Sequence, residues 1–394
     1  MVGHGKVHAP PLRTRPPVAT VAGDRVTMFE IFFDLVFVFA ISQVVTFVDH
    51  AASPLRFVDG LVLLLLLWWA WSAFAWLGNQ VRVDRGYLRV GMLVAMAGLF
   101  LAAVVMPDAW SAGAGAQRSS LVLALVFTGV RLTYAIMGIA SAGGRRLRTQ
   151  LTIDLIPQSV SGVLLVVGGA LGGASQTVLW ATAFVVDFAG GRIASRYRGW
   201  SLRSLEHFVE RHGLVLIIVL GEPLVTTGVE AGPYDPLLPL LTRSFLVFVA
   251  AVALWSLYFH DLAPRAARAL AASGPSRSSL ARDAYTFVHF PLVVGVVALA
   301  LGTKQLLQEP ATPPESAAVA LCGGAALFLA ALELFRWVVL RTWRRSSAVL
   351  VLVLGAVLGL ARDCPTVVVM VLVVAVLVTA ALVDLGRARR PSGP

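Results

Sequence analysis

The chain has 394 residues, of which 58% are hydrophobic and only 13% charged, with a formal net charge of +11. A soluble domain carries about 25% charged residues, so an aqueous fold is excluded and the relevant solvent is lipid. The positive balance does not mark a nucleic-acid binder, because the arginines fall between long apolar segments, as in the cytoplasmic loops of membrane proteins.

Residues 1–27 are polar and Pro-rich. They hold no apolar stretch of signal-peptide type, so the first span is expected to be retained. Apolar runs then fall at 28–49, 57–78, 87–106, 119–141, 150–173, 176–190, 208–229, 237–259, 284–306, 316–339, 346–361 and 365–385. A helix needs ~20 such residues to cross a hydrocarbon core. The sixth and eleventh runs are the shortest. With the N-terminus in the cytoplasm, alternate loops collect the clusters Arg82–Arg89, Arg145–Arg148, Arg192–Arg211, Arg265–Arg282, Arg336–Arg345 and Arg387–Arg390. Only Arg56, Arg118, Arg243, Lys304 and Arg362 fall on the other side, and Arg131 lies inside a span. Cytoplasmic loops are the Lys- and Arg-rich ones, so twelve spans with both ends inside are expected. One span more or fewer would erase the bias.

Short motifs recur in fixed order. Glu30-Ile-Phe-Phe-Asp34 is matched by Glu206-His-Phe-Val-Glu210, and Trp71-Ser by Trp255-Ser. Tyr87-Leu-Arg-Val90 is matched by Tyr285-Thr-Phe-Val288, and Arg145-Arg146 by Arg344-Arg345. Thr182-Ala183 and Asp187 are matched by Thr379-Ala380 and Asp384. The fold expected is therefore all-α: a polytopic membrane bundle of about twelve transmembrane helices, arranged as two parallel six-helix repeats over 28–200 and 201–386. A basic cytoplasmic tail, 387–394, follows. Transporters are built from such repeats.

A charge in hydrocarbon costs about 2.5–3.5 kcal/mol on insertion scales, so it needs a partner, a wet cavity or a use. Glu30 and Asp34, one turn apart, share a face of the first span. Glu206 and Glu210 repeat that spacing, and His212 follows. Tyr285 and His289 open the ninth span; Asn79, Asp84, His260 and Asp261 sit at helix ends. All belong to the cytoplasmic half of this topology and suggest a polar vestibule there, or a set of solvated helix ends. Glu222 lies near the middle of the seventh span, between Gly221 and Pro223. Proline cannot donate its missing N–H, so a kink and a freed carbonyl are expected beside that carboxylate. Two readings of Glu222 stand: an ion or proton site, or one half of an ion pair with Arg131, for which Glu333 and Asp154 compete. The pathway set is thus Glu222, Asp34, Glu30, Glu210, His212, Arg131 and His289. Trp68, Trp69, Trp71, Phe74 and Trp76 read either as packing or as the wall of a ligand cavity. The two cysteines, Cys322 and Cys364, and the His spacing give no metal site. No cofactor motif is present, and no nucleic-acid partner is expected.

Phe29-Glu-Ile-Phe-Phe-Asp-Leu-Val-Phe-Val-Phe-Ala-Ile-Ser-Gln43 and Arg211-His-Gly-Leu-Val-Leu-Ile-Ile-Val-Leu-Gly-Glu222 resemble the signatures of the bacterial low-temperature requirement A (LtrA) family. The resemblance runs from about residue 24 to 385. It implies a multi-pass bacterial inner-membrane protein, and singles out Glu30, Asp34 and Glu222 by motif. The family often has Ser where this chain has Pro223. It carries no established reaction. Three functions are open: a proton- or cation-coupled secondary transporter moving a small ion or molecule; an intramembrane enzyme acting on a lipid or isoprenoid with Asp34, Glu210 and His212; and a structural, stress-adaptation role among membrane lipids.

Overall fold

The computed structural model describes residues 17–50, 53–111, 113–194, 201–230, 237–308 and 315–388. The first part of the 1–27 segment and most of the basic tail lie outside them. Among the described residues the chain is helical. The sole β pairing is an isolated bridge between Ala19 and Val81, where the strand-like lead-in lies against the end of the second helix. The helices are α1 (Met28–Asp49), α2 (Pro54–Gln80), α3 (Gly86–Val105), α4 (Ala114–Ser141), α5 (Arg145–Leu171) and α6 (Gly173–Ala194). Then come α7 (Leu205–Leu220), α8 (Glu222–Glu230), α9 (Leu237–Phe259), α10 (Leu262–Ala272), α11 (Arg277–Ala281) and α12 (His289–Gln308). The last are α13 (Glu315–Leu340), α14 (Arg345–Leu360) and α15 (Thr366–Ala388).

Helices are what a lipid solvent demands, because each satisfies its own backbone. Their starts are written in the sequence. Thr27 and Glu30 form a capping box at α1, and Ser53 and Ser204 cap α2 and α7. Ten helical stretches are long and apolar enough to cross a membrane. The sixth and eleventh runs fall short of that standard: α6 is interrupted by polar residues, and α14 has 16 residues. At ~1.5 Å per residue, α14 spans less than the ~30 Å core. The helix surfaces divide as lipid requires. Phe33, Phe37, Ile41 and Val44 of α1 are buried, whereas Phe32, Leu35 and Phe39 face outward.

The seventh run is broken, as expected, but at Gly221 and not at Pro223. The Gly221 N–H turns back to the Ile218 carbonyl and closes α7 with a tighter turn. Pro223 then occupies the first turn of α8, where a missing N–H is tolerated. The ninth run begins in a π-helical turn, Arg282–Val288, that passes directly into α12. Helices α12 and α13 pack with their backbones in close approach. A Cβ on Gly302 would lie 2.5 Å from the Leu321 nitrogen, and one on Gly324 would lie 2.6 Å from the Leu299 nitrogen. Only glycine permits that approach.

In the first half α1 packs on α2 and α3, then α3 on α4, α4 on α5, α5 on α6, and α2 on α6. In the second half α7 and α8 pack on α9 and α12, then α12 on α13, α13 on α14, α14 on α15, and α9 on α15. The halves meet through α1 against α7 and α12, and α2 against α7 and α12.

Candidate functional site

The α1–α7 contact holds a closed cluster of charges. The Glu30 carboxylate accepts from Thr27 through one oxygen. Through the other it accepts from His207 Nε2 at 2.9 Å and Arg211 Nη1 at 2.8 Å. Arg211 Nη2 also donates to Asp34 Oδ1 at 3.1 Å, and Trp71 Nε1 donates to the same oxygen at 2.7 Å. Asn79 Nδ2 donates to the Ser204 carbonyl at 2.6 Å and ties the end of α2 to the start of α7. Arg211 and Asp34 are fully buried. Buried charges need this kind of partnering, and removing one member strands the others. Glu30 and Asp34 therefore lie in a paired seam between the halves, not along an open vestibule. Their partners are the basic residues His207 and Arg211, one position on from the acidic Glu206 and Glu210. In the sequence Arg211 reads as a loop charge because it lies near the start of an apolar run. Glu210 points outward, half-buried, toward Arg25 at 3.5 Å and the Val26 N–H at 3.2 Å.

Beyond Trp71 the seam becomes aromatic. The His212 ring packs against Trp71, Phe208, Tyr285 and His289. Its Nδ1 lies 2.9 Å from the Phe208 carbonyl, which only accepts, so Nδ1 carries the proton and Nε2 is a bare acceptor without a partner. The same logic holds for His289. Its Nδ1 donates to the Ala284 carbonyl at 3.2 Å, five residues back, and Nε2 accepts from the Tyr258 hydroxyl at 2.7 Å. Trp68 and Trp76 donate to the carbonyl and hydroxyl of Thr286, at 2.7 and 3.0 Å. The tryptophans of α2 thus split. Trp68 and Trp71 are packed inside, while Trp69 and Trp76 line a cavity.

Glu222 stands apart from all of these. It is 6% exposed at the start of α8, 3.4 Å from the Thr226 hydroxyl, and the cation acting on it is Lys304. Lys304 in turn reaches Asp49 at 3.2 Å. Arg131 is not its partner. Arg131 Nε lies 3.0 Å from Asp187 Oδ2. Of the two rivals for Arg131, Asp154 lies near it in the fold and accepts from Gln158 at 2.6 Å, whereas Glu333 is engaged elsewhere, 3.2 Å from Arg336.

The cavity has a volume of about 740 Å³ and is partly open. Trp69, Ser72 and Trp76 of α2, Arg131 and Tyr134 of α4, Asp154 of α5 and Arg192 of α6 form one side. Residues 275–287 of the second half form the other. It therefore lies at the arginine-rich end of the bundle. Neither Asp34, Glu210 nor His212 lines it, so the three residues weighed for an enzyme do not share this space. Nothing short of the assembled fold brings these walls together. The one local signal was the spacing of Trp69, Ser72 and Trp76 on a single helix face.

The second half holds a related ion pair in a filled setting. Arg336 Nη2 donates to Asp384 Oδ2 at 3.1 Å, and Arg344 Nη1 donates to Asp384 Oδ1. Arg344 Nη2 also reaches Asp261 at 3.5 Å, and its backbone N–H donates to Glu333 at 3.0 Å. Burial, and then the Arg336 charge beside it, pull the Arg344 guanidinium down to about 10, so it is still charged at neutral pH. Among the described residues no group of three or more His, Cys, Asp or Glu is placed to hold a metal ion.

A helical bundle with charges paired inside it and apolar side chains turned outward defines a polytopic membrane protein. The chain belongs to the bacterial low temperature requirement A protein (LtrA) family, whose profile matches residues 25–382. It is 28% identical over 322 residues to an uncharacterized protein of Rhizobium meliloti (strain 1021), across 76% of this chain and 74% of that protein. No solved structure matches.

Proposed function

We propose that the protein is a proton- or cation-coupled secondary transporter of the bacterial cytoplasmic membrane, with both termini inside and membrane lipid around its outer face. Its substrate enters the cavity from the arginine-rich, cytoplasmic end, and Glu222 carries the coupling ion or proton nearer the other end. The observation that carries this reading is the roughly 740 Å³ cavity wedged between the two halves, of the size that takes a small organic molecule. Two features support it. A carboxylate is kept at a helix break with hydroxyl neighbours, as in transporter ion sites. The order of helix neighbours in the first half also recurs in the second, as expected of two parallel six-helix units that move against each other.

The test is proteoliposome flux with an internal pH dye, using a panel of small organic cations, neutral solutes and anions. Wild type should move protons when one of these solutes is added, and Glu222→Gln should abolish that coupled movement while the protein stays folded. Unchanged coupling in the variant removes Glu222 from the mechanism. A panel in which no solute moves protons sinks the transporter reading.

A further inference from the structure

We propose that the cavity binds an organic anion: a carboxylate head on a flat apolar body, with the head seated between Arg192 and Arg282. This names a substrate class for the transporter reading above, and rests on it for any step after binding.

The wall of the cavity is positive. Three arginines line it, Arg131, Arg192 and Arg282, against one carboxylate, Asp154. The carboxylates that pair with these arginines, Asp187 and Asp283, are not part of the wall, so an occupant touches the guanidiniums and not these counter-charges. Two of the arginines are held through Nε, the inner nitrogen. By that atom Arg131 lies 3.0 Å from Asp187 Oδ2, and Arg282 lies 3.1 Å from Asp283 Oδ1. The fork of two terminal nitrogens is the part of a guanidinium that matches a carboxylate with parallel bonds, and in both residues it is left for a ligand.

Asp154 sets the depth of the head. It stands near Arg131 and accepts from Gln158 at 2.6 Å, so it opposes an anion at that inner end. No other acidic residue lines the wall among the described residues. Arg192 and Arg282 converge on a single oxygen, Asp283 Oδ1, at 3.7 and 3.1 Å. Their side chains are 46% and 27% exposed, against 11% for Arg131, so they are the pair that an entering anion meets first. The body has its own seat. Trp69, Trp76 and Phe287 line the cavity, and Arg192 lies over the Phe287 ring at 5.8 Å, which joins the charged part of the wall to the aromatic part. Ser72 lies between Trp69 and Trp76 on the same face of α2. It is 2% exposed, it lines the cavity, and its hydroxyl has no partner among the described residues. Buried hydroxyls are nearly always paired, and a ligand in the cavity supplies the missing contact.

The experiment uses the full chain in phosphatidylcholine nanodiscs, which hold no anionic lipid. The three nearly isosteric probes are 2-naphthoate as the anion, 2-naphthamide as the neutral form and 2-naphthamidine as the cation. Calorimetry, corrected with empty nanodiscs, should show naphthoate binding roughly tenfold or more tighter than naphthamide, the scale of one charge-assisted contact, with naphthamidine weakest. Arg282→Gln should bring naphthoate down to the level of naphthamide, and Arg192→Gln should do the same. Asp283→Asn removes the resident carboxylate and should tighten naphthoate, which a merely structural role of Asp283 does not predict. Naphthoate binding that ignores both arginine substitutions overturns the proposal. So does a preference for naphthamidine, weaker naphthoate binding in Asp283→Asn, or no binding of naphthoate at all. The two readings fail separately. Naphthoate binding without flux of any solute removes the transporter and leaves the anion site. Coupled flux of a neutral or cationic solute without naphthoate binding does the reverse.

Discussion

The two halves treat the same ion pair differently. Arg336 and Asp384 are enclosed by Arg344, Glu333 and Asp261, so that both carboxylate oxygens of Asp384 are occupied. Around Arg131 and Asp187 stand Ser161, at 3.2 Å from Asp187, and the nearby Asp154, and Arg131 lines the cavity. A buried pair is stabilising only when its geometry is good and its spare lone pairs are satisfied. In the second half the chain itself fills both oxygens of Asp384, although Arg336 Nη1 is left without a partner. In the first half Asp187 Oδ1 is buried without a hydrogen-bond partner.

The largest effect should come from attacking the closed pair. Arg336→Leu strands Glu333 and Asp384 in a dry setting and should destabilise the protein by about 3–5 kcal/mol, read as a lower melting temperature in detergent. Arg131→Leu should lose about half of that, because Asp187 keeps Ser161 and removing the cavity-lining guanidinium lets water reach it. Equal losses would abolish the distinction between the halves. Arg344→Ala comes next, at about 1–3 kcal/mol, since it leaves Asp384 Oδ1 bare. Millimolar guanidinium should restore part of that loss, whereas tetramethylammonium, which has no N–H, should not. Failure of rescue would mean that the seat is not shaped for a guanidinium. The smallest effect belongs to Arg145→Ala, which should leave the melting curve unchanged. A loss as large as that of Arg344→Ala would show that Arg145 serves Asp187 as Arg344 serves Asp384.

Much of the fold was legible in the chain. Apolar runs mark helices because lipid leaves no other way to satisfy a backbone, and the Thr27–Glu30 capping box marks the start of α1 from four residues. The site was legible only in fragments. Arg131 stood out as a charge inside a span, yet its partner Asp187 lies at the far end of another helix, a pairing that no local spacing encodes. Arg211 and Arg336 read as loop charges because each sits near the edge of an apolar run. In the fold each lies fully inside, held by carboxylates from other helices. Glu222 was rightly singled out as buried, but the local break falls at Gly221, because a glycine ends a helix more easily than a proline that already fits the first turn of the next.

The π-helical turn at Arg282–Val288 carries Thr286 and Phe287 into the cavity wall. Its wider winding absorbs one residue more per turn than ordinary helix. If those residues rewound to a regular spiral, every side chain on the near side would swing by about 100°. Thr286 would then leave both indole N–H groups of α2, and Phe287 would change the face it shows to the chamber. A slip of a single residue in one turn is thus enough to reshape the room without moving any helix as a whole.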